Sequence, residues 1–228
     1  MTAAALRTQV QASLTRRFDS RLDSSFDADF GFREKRAPDL LPTGISGIDI
    51  PRGTLTEIHG PLSSGRSSVL TGALAWATRR PEFCALIDAG DSFDPCSAEE
   101  AGVLLPHLLW LRCGGNAENA LKAADLIIQA GGFGIVALDL ANVSARDARR
   151  ISLASWFRLR NAVEKTPTAL VVIEEELNAR SCSTLQIETR GSGYRMQGKL
   201  LRGLSVEASL GPRLRCKSTF TLKTLYHE

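Results

Sequence analysis

The chain has 228 residues, 43% of them hydrophobic and 23% charged, a globular mix with length enough for one sizeable core and a small appendage. No apolar run is long enough to span a bilayer and the first residues lack the apolar stretch of a signal peptide, so the expectation is a cytoplasmic protein with no membrane partner. The net charge of +3 is uneven: from Arg180 onward nine bases face three acids, +6, which leaves −3 for residues 1–179. A basic third of this kind suits nucleic acid or an acidic partner, and it equally suits the solvated face of a set of strands. The five cysteines are scattered without a C-x-x-C pair, which argues for reduced thiols rather than a disulfide framework or a metal cluster.

In chain order, Leu6, Val10, Leu14 and Phe18 recur every fourth residue and predict a helix over about 4–18 with a narrow apolar stripe. Residues 19–38 have little pattern and read as a linker. The expected organisation is therefore an N-terminal helix and linker over 1–38 and a main domain over 39–228. The stripe is either a partner-contact surface or the inner face of a helix packed on its own domain.

Residues 55–60 predict a short strand that runs into Gly60-Pro61-Leu62-Ser63-Ser64-Gly65-Arg66-Ser67-Ser68. This segment fills the phosphate-loop pattern G-x-x-x-x-G-K-[ST] at every position but one, with arginine where lysine is required. A helix is expected from Ser67 to Thr78, its inner side formed by Val69, Leu70, Ala73, Leu74 and Ala77. Strand, glycine loop and helix in succession are the context that such a loop needs, because glycine lets a phosphate approach and the helix start offers free amides. The nucleotide-contacting candidates are Gly60, Pro61, Ser63, Ser64, Gly65, Arg66, Ser67 and Ser68.

Apolar strands are then expected at 83–88, 108–112, 135–139 and 169–173, alternating with helices at 117–130 and 145–165. That alternation predicts an α/β fold with a mostly parallel central sheet covered by helices on both faces. From about 184 the period changes to two, in Leu185 and Ile187, in Leu204, Val206, Ala208 and Leu210, and in Phe220 and Leu222, which predicts antiparallel strands with one wet face. Asp139 stands at a strand tip. With the hydroxyl of Ser67 it could hold Mg²⁺, or it is simply a strand-end carboxylate. Trp76, Trp110 and Trp156 sit in apolar surroundings and are expected in the core.

Thr43-Gly44, Gly47-Ile48-Asp49, Pro51-Arg52-Gly53, Glu57-Ile58 and the loop itself resemble, in order, the approach to the phosphate loop of RecA-type recombinases. Leu86-Ile87-Asp88-Ala89, Phe93-Asp94-Pro95 and Leu138-Asp139 resemble that family's next strand, adenine-side loop and Walker B strand. The resemblance covers roughly 41–173 and implies a RecA-like P-loop core, with Asp94 added to the nucleotide-binding residues. Within the group the chain looks most like the ImuA family, RecA-like accessory factors of the bacterial mutasome for error-prone translesion synthesis.

Four departures from the recombinase pattern concern chemistry. Arg66 replaces the loop lysine; Gly90 stands where the catalytic glutamate is expected; Ser97 stands where an adenine-stacking tyrosine is expected; and Glu174-Glu175-Glu176 replaces the γ-phosphate-sensing glutamine after Ile173. A carboxylate facing a phosphate is repulsive unless protonated or screened. The long DNA-gripping loop that follows this strand in recombinases is missing as well.

The resemblance thus implies ATP and Mg²⁺ bound without efficient hydrolysis, or no nucleotide at all. The expected role is that of a catalytically degenerate protein of the DNA-damage (SOS) response, acting mainly as a protein–protein scaffold. Its implied partners are a Y-family-like polymerase homologue, other mutasome proteins and RecA, with weak or indirect DNA contact. The alternative is an active or nucleotide-gated DNA-dependent ATPase.

Overall fold

The computed structural model describes residues 39–164, 166–211 and 216–223, with the side chains of Cys216 and Lys223 outside that description. The expected N-terminal helix and its partner-contact residues Leu6, Val10, Leu14 and Phe18 lie outside the described residues, as does the expected linker up to residue 38.

An antiparallel pair, β1 (Leu40–Pro42) and β2 (Asp49–Pro51), precedes the main sheet. The main sheet takes β3 (Leu55–His59), β4 (Phe83–Asp88), β5 (Leu108–Arg112), β6 (Phe133–Asp139), β7 (Ala169–Glu174), β8 (Leu185–Gln197), β9 (Leu200–Gly211) and β10 (Cys216–Lys223). Its spatial order is β10-β9-β8-β3-β7-β6-β4-β5. From β8 to β5 every neighbouring pair is parallel, whereas β8, β9 and β10 run antiparallel. The expected fold class and the change of period near residue 184 are both present.

Helices α1 (Arg66–Thr78), α2 (Pro95–Glu100), α3 (Ala117–Ala130), α4 (Ala145–Arg149) and α5 (Leu153–Val163) complete the described elements, with short 3₁₀ turns at Leu105–His107 and Arg180–Cys182. The sheet separates two cores. One joins Leu41, Ile48 and Ile50 to Val69, Leu70, Ala73 and Leu74 of α1 and to Ile58, Leu86 and Ile173. The other joins Leu121, Ile127 and Ile128 of α3 and Trp156 and Leu159 of α5 to Leu55, Ile87, Leu138 and Val172. The strands are therefore apolar on both faces, as a doubly covered parallel sheet requires.

Two expectations need correction. The helix predicted over 145–165 is two helices, because the Ser152 side chain accepts from Ser155 N and starts α5 afresh after a break at 150–152. Of the tryptophans, Trp156 is fully buried, but Trp76 and Trp110 are only half-buried. Arg80 lies 3.6 Å from the Trp76 ring centroid, and Trp110 packs edge-on against Phe93 and donates its indole N–H to Asp88. No helix among the described residues is long and apolar enough to cross a membrane.

Candidate functional site

The segment 60–68 leaves the C-terminal end of β3 beside the tips of β7 and β8 and turns into α1. Gly65 takes φ +89 just before the helix; no side chain caps α1 and its first turn holds no acid. Uncapped amides at a helix start favour an anion. Ser67 is exposed and Ser68 half-buried, while Ser63 holds a left-handed φ of 59.

Arg66 does not present its charge to solvent. It is 5% exposed, and its Nη1 donates to the carbonyl oxygens of Gly60 and, at 3.4 Å, of Glu174. The guanidinium thus ties the start of its own loop to the tip of β7. Bidentate recognition of phosphate needs the fork displayed outward, and here it is turned onto backbone. The loop as folded does not fit a magnesium nucleotide without movement of this side chain.

The antiparallel strands brace the same loop from the other side. Thr189 Oγ1 on β8 donates to His59 O at 3.3 Å, so in its 2.8 Å contact with Ser64 Oγ it is the acceptor and Ser64 the donor. Val206 on β9 lies over Gly65, where an added Cβ would come within 2.7 Å of it. With a left-handed backbone and this close approach, only glycine fits.

Behind the loop lies a pair of buried carboxyls. Glu57 shares the sheet face of Leu55 and is fully buried; Glu174 is 1% exposed at the end of β7. Glu57 Oε1 accepts from the amides of Asn178 at 2.8 Å and Ala179 at 2.9 Å, and Glu174 Oε2 accepts from Asn178 Nδ2 at 2.7 Å. Burial first, then hydrogen bonding and charge repulsion from Glu57, push the Glu174 carboxyl up to about 9. A carboxyl held near 9 keeps its proton at neutral pH, and Glu57 Oε2 beside it has no hydrogen-bond partner among the described residues. The repulsion expected from the three glutamates is thereby relieved. Glu174 turns inward as a neutral acid, Glu175 is exposed, and Glu176 makes a bidentate pair with Arg149 of α4.

Asp139 sits at the end of β6, 7% exposed, with Oδ1 accepting from Ala141 N at 2.9 Å and Oδ2 from Ser92 Oγ at 3.2 Å. Burial raises its carboxyl above the ordinary range, against the lowering effect of those bonds and of the Arg66 charge. Both oxygens serve the loops around them. The neighbouring Asp88 is buried and accepts from Ser92 N and Phe93 N at 3.0 Å, which shapes the loop after β4. Asp94 is exposed and caps α2 by accepting from the amides of Cys96 and Ser97. Among the described residues no three His, Cys, Asp or Glu side chains gather as a metal site.

Gly90 has no room for a side chain. A Cβ there would stand 2.6 Å from the Asn142 Cβ and 3.1 Å from its Cα. The segment after β6 fills the volume that a side chain at position 90 would need. His59, at the mouth of the loop, has its imidazole pKa lowered by burial against the opposing pull of Glu188 and Glu57.

Residues 39–151 match the RecA N-terminal domain. The core is RecA-like. RecA of Methylococcus capsulatus is 36% identical over 108 residues, 44% of this chain and 31% of that protein. RecA of Acidothermus cellulolyticus is 38% identical over 114 residues, 46% of this chain and 33% of that protein. The chain thus matches about a third of the length of these RecA proteins. The matched part of the RecA-like core holds the phosphate loop, Gly90, Asp94 and Asp139, and stops before β7 and the antiparallel strands.

Several participants carried no motif in the sequence. Asn178, Thr189, Val206 and Asn142 enter the site only through folding. Glu57 alone gave a signal, in the Glu57-Ile58 step of the approach to the loop, though not of its pairing with Glu174. A cleft of about 700 Å³ between segments 114–121 and 147–155, away from the phosphate loop, gave none.

Proposed function

We propose that this chain is a catalytically silent RecA-like accessory protein of the DNA-damage response, acting in error-prone translesion synthesis as a protein–protein scaffold in the manner of the ImuA-type mutasome factors. The observation that carries the reading is the Arg66 guanidinium, buried and bonded to the Gly60 and Glu174 carbonyls where an ATPase displays a mobile lysine. The Asn142-filled space at Gly90 supports it, since no side chain stands there to orient water. On this reading the partners are a Y-family-like polymerase homologue, further mutasome proteins and RecA itself, with DNA reached weakly or through them. Leu6, Val10, Leu14 and Phe18, together with the C-terminal strands, remain proposed as contact surfaces.

The uncapped start of α1 favours one second reading, a nucleotide-gated switch in which Ser67 and Asp139 hold Mg²⁺ and the loop residues and Asp94 hold ATP without cleaving it. Titration of MgATP with purified protein, followed by phosphate release, decides between them. The scaffold reading expects neither binding at micromolar concentration nor release, and Arg66→Lys to gain binding without turnover. Binding without release in the wild type selects the switch. Turnover that Asp139→Ala abolishes overturns both in favour of the DNA-dependent ATPase.

A further inference from the structure

Strands β8 and β9 outrun the sheet they belong to. Strand β3 pairs with β8 only as far as Glu188, and beyond it, from residue 190 to 197, the outer edge of β8 has no strand partner among the described residues. Residues 190–200 are exposed throughout and close through a two-residue turn at Gly198-Lys199. The result is a ribbon that β10 backs as far as Gly203 and that is two-stranded only at its tip, with one edge of backbone donors and acceptors along β8 lacking a strand partner among the described residues.

Its side chains are of two kinds. Between Thr189 and Val206 the sequence holds Arg190, Arg195, Lys199 and Arg202 and no acid. Arg190 is paired with Glu188 and Arg202 donates to Gln197, but Arg195 and Lys199 carry no ion pair among the described residues. Among these bases stand Tyr194, 74% exposed, Met196, 46%, and Leu200, 50%. Tyr194 and Met196 flank Arg195, and Leu204 and Leu201 lie directly across from them, with the register shifting between Arg195 and Met196.

We propose that this ribbon is a protein-docking edge that takes an extended, acidic segment of a partner by strand addition along residues 190–197. An open strand edge supplies main-chain hydrogen bonds, and alternate side chains supply the specificity. The excess of unopposed bases selects negative charge. Tyr, Met and Arg are the residue types that mark protein interface cores, and Tyr194 is the ribbon's only aromatic, one stacking platform where a single strand of nucleic acid uses several. The ribbon thus favours an acidic polypeptide over a nucleic acid. The proposal deepens the scaffold reading by locating a contact surface, and it fails separately from it, because strand addition is independent of ATP turnover.

The test uses the full chain and two labelled probes, a synthetic peptide of about 12 residues alternating glutamate with valine or leucine, and a single-stranded oligothymidylate of similar contour length. Binding is read by fluorescence anisotropy and by hydrogen exchange. The peptide is expected to bind and to slow amide exchange within 190–197, and Arg195→Glu with Lys199→Glu is expected to weaken it at least about tenfold. Tyr194→Ala with Met196→Ala is expected to weaken it too, whereas Lys122→Glu on α3 leaves it unchanged. Melting curves establish that each variant is folded. No peptide binding, binding without protection of 190–197, or tighter binding of the oligonucleotide through the same residues overturns the proposal.

Discussion

Glu174 owes its proton to its surroundings: it has lost water, and the carboxyl beside it is Glu57. Its folded pKa of about 9 lies far above the unfolded carboxylate value, so between those limits the folded state holds a proton that the unfolded state has released. The stability from this group is complete at low pH and declines as pH rises toward 9. Denaturant titrations from pH 5 to 9 are expected to show that fall, with a slope approaching about 1.4 kcal/mol per pH unit if other groups stay silent. Glu174→Gln keeps one acceptor for the 2.7 Å bond from Asn178 Nδ2, loses the weaker 3.3 Å one from the Asn178 amide, and has no titrating proton; it is expected to flatten the slope and to be the more stable protein at pH 8. A variant with the wild-type slope rules out the retained proton on Glu174. At Gly90 the effect is steric. Gly90→Ala sets a methyl group 2.6 Å from the Asn142 Cβ, and is expected to cost about 1–3 kcal/mol in chemical denaturation. The sequence showed a glycine at position 90, but not that the space beside it is filled, because Asn142 lies on another loop and no spacing rule connects the two.

Elements that rest on local pattern were legible. The turn from β3 into α1, the Gly131 stop after α3 and the alternation of β9 all follow from nearby residues and appear where the periodicity puts them. The predicted 145–165 helix was misread because apolar residues continue in helical register through the break, whereas Ser152 bends the backbone to cap α5. Ser152→Ala is expected to cost about 1 kcal/mol, read as a shift in the unfolding midpoint at constant slope. An unchanged midpoint argues that the break is set by packing rather than by the cap. The bracing of the phosphate loop by β8 and β9 was not legible, since Thr189 and Val206 lie more than 120 residues beyond the loop and owe their place to the strand order.

The described residues form a sheet between two cores, and the second core is organised around Trp156. That side chain is fully buried, yet its indole N–H has no partner among the described residues. Trp156→Ala is expected to cost about 3–5 kcal/mol. Trp156→Phe is expected to cost much less, because it removes an unsatisfied donor along with the lost volume. Equal losses for the two would mean that the N–H is satisfied in solution. The overall architecture was readable from the alternation of apolar strands and helices, because a parallel sheet buried on both faces writes itself into every strand. The chemistry of the site was less readable, because it depends on where side chains turn after folding: Arg66 onto carbonyls, Glu174 onto Glu57, Asp139 onto Ser92.

The Arg66 tie has a consequence outside the site. A nucleotide-binding protein gains stability in proportion to the logarithm of ligand concentration, so its folded fraction follows the energy charge of the cell. Under the scaffold reading, a loop held shut by its own guanidinium gains nothing in this way. The folded fraction of the protein instead follows the concentration of its protein partners and not the nucleotide pool.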